Sequence, residues 1–374
     1  MKPSLKPQRP ARVIAALLLA LACCAAYSPA LAQGPNDGRA FGDVQVLATV
    51  PNPPGYPEGI VVNGNRAYVS GPARFGTAGE PPSKVFAYDT RTGETVREYA
   101  IQGENLAFDH ANSCMAMDGA GRLYVVNIQL GIVRLDTGSG AQETYAAPLP
   151  NLPTCASAPA NTPCSPTFLD LPPLPNDIAF DAAGNLYETD SFQATIWRIP
   201  AGGGQPQIWF QSAALDTPFG ANGLRLSPDG TRVFFAVTAE GVGPMGNFLG
   251  GKIYTLPLVN SPQAGDLQVF YQYNGDAPDG IAFGRSGLLY VVLAAPFNSG
   301  VSILRPDGTQ AARLGNAPGS PIFPYDSPAN AAFDKHGALL LTNHAFATGI
   351  PSNFTVLSVF VDDKEAPLER PNVP

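Results

Sequence analysis

The chain has 374 residues, 30 acidic against 22 basic, with 14% of all residues charged and Gly and Pro numbering 39 each. The negative balance argues against nucleic acid or an anionic membrane surface as partner. So much Gly and Pro with so little charge excludes a helical bundle and favours short buried strands joined by tight turns.

The first 32 residues read as a secretory signal. Lys2, Lys6, Arg9 and Arg12 form a basic start, Val13 to Ala26 is an apolar run, and Ala30-Leu31-Ala32 supplies small residues for cleavage. Removing it would leave 18 basic against 30 acidic residues, a formal charge of −12, in a secreted or periplasmic protein. Residues 33–43 read as a linker. No later apolar run reaches membrane-spanning length, so no membrane contact is expected.

Residues 44–50, VQVLATV, alternate like a strand but belong to no repeat of their own. Six copies of one unit follow, clearest in PNDIAFDAAGNLYETDSFQATIWRI, which reads strand, Gly turn, strand, loop, strand. The others begin at EGIVVNGNRAYVSG, SCMAMDGAGRLYVVN, NGLRLSPDGTRVFFAV, DGIAFGRSGLLYVVL and NAAFDKHGALLLTN, roughly 45 to 65 residues apart. That spacing predicts an all-β, six-bladed β-propeller with four-stranded antiparallel blades. The last unit lacks an outer strand, so residues 44–50 are expected to supply it and close the ring, removing an exposed edge. The propeller then spans 44–363, with 364–374 as a C-terminal tail, and a monomer is expected. Between the second and third units, residues 146–175 hold nine prolines. They also hold Cys155 and Cys164, a pair able to bond in an oxidising compartment. This segment is expected to form a stiff cover over one side of the site. Cys114 is left as a buried apolar side chain.

Aligning the copies on their first strands gives a polar column: Glu58, Ser113, Asn176, Asn222, Asp279 and Ala329, with Asn112 and Asn330 one step to either side of the second and sixth. Innermost strands surround the axis, so a column becomes a ring. Any one of these positions alone reads as a turn dipeptide. Four oxygen-bearing residues in one column point instead to a shared task. Two carboxylates in a partly dry cavity repel unless a cation intervenes. An all-oxygen set without His or Cys suits calcium, with Mg2+ or Mn2+ as less favoured alternatives, and argues against zinc.

At these residues the chain resembles the gluconolactonase and regucalcin-like propeller family, over about residues 44–362. The family's calcium is held by a Glu, two Asn and an Asp from the first, third, fourth and fifth blades. Those positions match Glu58 in PEGI, Asn176 in PNDIAFD, Asn222 in ANGLRLSPDG and Asp279 in PDGIAF. The resemblance implies a calcium-dependent hydrolase of a lactone or related ester, the metal polarising the carbonyl and positioning water. It also implies Asp279 as first candidate for the proton acceptor, with Glu58 as the alternative. Two departures bear on substrate. Sugar-acid lactonases of the family carry Arg where this chain has Leu174, and paraoxonase-like members carry His where it has Ser113.

His110 and His344 are further candidates for proton transfer. His336 falls in a turn on the opposite face. Phe75, Phe192, Phe248, Phe297 and Phe346 each follow a second strand, which puts them at the ring's mouth. With Leu174 they predict a largely apolar pocket and a lactone or ester substrate with an apolar portion. The alternative reading is a propeller that binds a ligand or protein without catalysis, its calcium structural.

Overall fold

The computed structural model describes residues 38–243, 248–296 and 298–374. The secretory signal read over residues 1–32 lies outside them, as do Phe297 and the side chain of Phe248. Among the described residues, no helix is long and apolar enough to cross a membrane.

Six four-stranded antiparallel sheets follow one another in chain order. Their innermost strands are Ile60–Asn63, Asn112–Met117, Pro175–Phe180, Phe219–Leu226, Pro278–Phe283 and Pro328–Phe333, defining blades 1 to 6. In blade 6 the third strand, Thr355–Phe360, pairs antiparallel with Val44–Thr49, so the N-terminal strand closes the ring as the missing outer strand required. Each blade junction carries its own apolar layer, made of alternate residues from the facing sheets. At the junction of blades 2 and 3, Tyr124 meets Phe180 and Tyr145 edge-on, at 4.9 and 4.8 Å between centroids. Phe234 with Phe283 and Tyr290 with Phe333 repeat the motif at the next-but-one and following junctions.

Segment 146–175 is docked onto blade 3. The Gln193 side chain accepts from Leu152 N and donates to Pro150 O, and Ser165 Oγ donates to Gln193 O. Cys155 and Cys164 are bonded, with Cα atoms 4.9 Å apart.

The tail does not stand apart. Blade 5 has Gly284 where blades 2, 3 and 6 have the turn residues Asp118, Asp181 and Asp334. A Cβ at Gly284 would stand 2.0 Å from Asp363 Oδ2. Asp363 takes over the missing role, accepting from Ser286 N (3.2 Å) and from the Tyr290 hydroxyl (3.1 Å). In blade 3, Asp181 likewise accepts from Tyr187. From there the chain crosses the face opposite the ring. Arg370 donates to Val62 O of blade 1 at 2.8 Å, and Gly119 N of blade 2 donates to Pro371 O at 2.9 Å. Arg122 and Arg134 of blade 2 donate to the carbonyls of Val373 and Pro374. The tail is thus a strap between opposite blades. Deleting residues 365–374 should lower the melting temperature by several degrees in scanning calorimetry; an unchanged transition would show that the strap adds nothing.

Candidate functional site

The ring column is built by a repeated irregularity. In blades 2 to 6 the register of first against second strand skips two residues: Ser113 and Cys114, Asn176 and Asp177, Asn222 and Gly223, Asp279 and Gly280, Ala329 and Asn330. A bulge interrupts strict alternation, so two successive residues can both bear on the axis. Close approach follows: a Cβ at Gly59, Gly223 or Gly280 would lie 2.7, 2.3 or 2.5 Å from backbone atoms of the next blade. These glycines let the first strands crowd together at the centre.

Second-strand hydroxyls then lock the bulges to one another. Thr238 Oγ1 donates to Pro278 O at 2.8 Å and accepts from Asn222 Nδ2 at 2.9 Å. Ser191 Oγ donates to Ala221 O at 2.7 Å and accepts from Asn176 Nδ2 at 3.2 Å. Ser70, Thr189 and Thr342 donate to the carbonyls of Ser113, Asn222 and Glu58 in the same manner. A hydroxyl has one proton. Because it goes to a carbonyl, the hydroxyl can only accept from the amide nitrogen, and each Asn is held with its oxygen turned away from that clamp. Asn222 Oδ1 is buried with no hydrogen-bond partner.

Glu58, Asn176, Asn222 and Asp279 all line one cleft of about 970 Å³, open to solvent at its mouth. Burial, and then the Asp177 carboxylate, push Glu58 up to about 8. Burial, then Glu58 and Asp177, hold Asp279 well above the carboxylate range, with the Asn222 amide acting in the opposite sense. His344 Nε2 lies 2.9 Å from Ala73 O, which can only accept, so this nitrogen carries the proton. Burial lowers the imidazole to about 4, leaving it neutral, with the bare Nδ1 3.5 Å from Glu58 Oε2. Among the described residues, no group of three or more His, Cys, Asp or Glu gathers as a metal cluster. The set is two carboxylates with two amide oxygens, and its orphaned Asn222 Oδ1 and mutually repelling carboxyls fit a hard divalent cation.

Leu174, Phe75 and Phe346 line the cleft, joined by Phe219 and Ile128. Other expected positions fall elsewhere or have their polar atoms already engaged. His110 is buried off the cleft with both ring nitrogens at backbone carbonyls, Phe108 O at 3.1 Å and Pro81 O at 3.0 Å, so it offers no free nitrogen. Asn112 lines the cleft, but its amide donates to Lys84 O and accepts from Asn127. Asn330 lies beneath the ring, bonded to Arg225 and Cys114. Phe192 packs on Phe219, 6.0 Å between centroids, behind the wall. Of segment 146–175, only Leu174 and Pro175 reach the cleft, so it flanks blade 3 instead of covering the site. Phe219 and the hydroxyl clamps escaped the sequence reading. The clamps recur as Ser or Thr late in the second strand, a signal the alignment of repeats contains.

A raised carboxyl need not belong to this site. Glu188, between blades 2 and 3, is pushed up to about 8 by burial and then by Asp190. Its folded state holds the proton more tightly than the unfolded chain, so its contribution is complete below about 4.5 and is lost as pH climbs through about 8. Glu188→Gln should therefore flatten the fall of melting temperature between pH 5 and pH 8; parallel profiles for variant and wild type would refute this.

No protein-family model and no curated protein sequence matches the chain. Solved structures do. The calcium-binding protein regucalcin from Agrobacterium tumefaciens superposes with TM-score 0.58 at 18% identity, over 88% of this chain and 98% of that one. A gluconolactonase from Xanthomonas campestris gives 0.52 at 18%, over 85% and 88%. A luciferin-regenerating enzyme gives 0.56 at 14%, over 89% and 100%. At such identities the likeness is one of fold.

Proposed function

We propose that the protein is an exported, calcium-dependent hydrolase of a lactone or related ester with an apolar portion. One observation carries the reading: two amide oxygens, their nitrogens committed to hydroxyls, share a cleft with two carboxyls that burial and mutual repulsion disfavour as bare anions. Glu58, Asn176, Asn222 and Asp279 would hold the ion. When bound it supplies the positive charge that stabilises an oxyanion developing at an ester carbonyl.

The chain's own residues do the rest. Asp279 keeps part of its surface on the cleft and takes the role of proton acceptor for the attacking water. Glu58 is more deeply buried, which suits it to holding and not to exchange. Leu174, Phe219, Phe75 and Phe346 exclude water and receive the apolar part of the substrate. The Cys155–Cys164 bond is consistent with an oxidising compartment.

Chelation should lower both melting temperature and turnover of a lactone panel, and calcium should restore both. Asp279→Asn should bind calcium more weakly, but with the ion saturating in calorimetry turnover should still fall by about a hundredfold or more. Leu174→Arg should cut kcat/KM for apolar lactones by roughly tenfold or more relative to polar ones. If chelation lowers only the melting temperature and no lactone is turned over, the non-catalytic binding propeller is the correct reading.

A further inference from the structure

Beneath the ring lies a layer that the proposed chemistry does not use. Its positions are those one step after the ring column: Gly59, Cys114, Asp177, Gly223, Gly280 and Asn330. Asp177 is fully buried, and its carboxylate accepts from Ile178 N at 2.8 Å, Leu224 N at 2.9 Å and Arg225 Nη1 at 2.7 Å. The Arg225 guanidinium also reaches Asn330 Oδ1 at 3.2 Å, and Asn330 Nδ2 donates to Cys114 Sγ at 2.9 Å. Blades 3, 4, 6 and 2 are thereby tied across the axis by one cation.

Arg225 stands alone in its own column. The matching positions of the other five blades hold Val61, Ala116, Ala179, Ala282 and Ala332. Five small side chains leave the central space that one long one fills. A buried carboxylate stripped of its partner is strongly disfavoured, so the pair is retained as a unit. Asp177 directly follows the ring residue Asn176, so its charge lies close beneath the ring. Arg225 compensates that charge locally. With the pair intact, much of the Asp177 charge is offset at its source, and the ring's own charge is that of Glu58 and Asp279, matched to a divalent ion.

We infer that Arg225, through its pairing with Asp177, is a positioning residue that sets the charge of the cation the axis accepts. This rests on the reading of the ring as a metal site. With Arg225 removed, three carboxylates face the ion and the preference moves toward trivalent cations; with Asp177 neutralised and Arg225 retained, divalent binding weakens. The geometry needs no change at the four ligands themselves.

The test uses the full chain, stripped with chelator, and measures Ca2+ affinity by calorimetry and Tb3+ affinity by luminescence in competition with Ca2+. Arg225→Met should raise the Tb3+ to Ca2+ affinity ratio by at least tenfold over wild type. The double variant Asp177→Asn/Arg225→Met, which removes both charges, should return the ratio to within about threefold of wild type. Should Arg225→Met fail to fold, Asp177→Asn decides, with an expected loss of Ca2+ affinity of at least tenfold. An unchanged ratio in a folded Arg225→Met, or unchanged Ca2+ affinity in Asp177→Asn, overturns the inference while leaving the metal site standing. Binding of neither ion by the wild-type chain overturns the metal reading and the inference together.

Discussion

Buried oxygen atoms cannot be brought together at the centre of a ring without something to hold them there. Glu58 and Asp279 face one cleft with Asn176 and Asn222, in surroundings that disfavour both ionised carboxyls. An isolated carboxylate in such a place would take up a proton, and an isolated amide oxygen would find a donor. Asn222 Oδ1 has found none among the described residues. Its nitrogen is fixed by Thr238, whose own proton belongs to the next blade. The unpartnered amide oxygen is therefore built into the scaffold and cannot be satisfied by a rotation of one side chain.

The propeller holds these residues together through backbone devices that recur. Bulges turn successive residues toward the axis, glycines beside the ring admit close strand approach, and hydroxyls stitch each bulge to its neighbour. Ring closure by Val44–Thr49 and the strap across the opposite face keep the blades from spreading. A rigid surround keeps the four ring side chains facing one cleft.

Much of this was legible in the residues. Six Gly-turn repeats with no partner for VQVLATV implied both the blade count and the closure, because an unpaired edge strand is a liability that chains rarely leave open. The column from Glu58 to Asp279 followed from repeat alignment alone. What escaped depends on relations that alternation does not encode. Bulges place Asn330 below the ring although its neighbour Ala329 holds the aligned position. His110 was drawn away by carbonyls of its own surroundings, which no spacing announces. Arg225 is marked only by a column that otherwise holds Val or Ala, and Asp363 completes a blade from outside it. The apolar mouth was read from loop position, and Phe219 entered from a strand instead.

The most direct measurement is anomalous diffraction from a crystal grown with calcium. A single peak on the axis is expected, about 2.3–2.6 Å from oxygens of Glu58, Asn176, Asn222 and Asp279. Well-ordered density with no peak there, or with Asn222 Oδ1 hydrogen-bonded to a protein donor, would contradict the metal site on which the hydrolase reading stands.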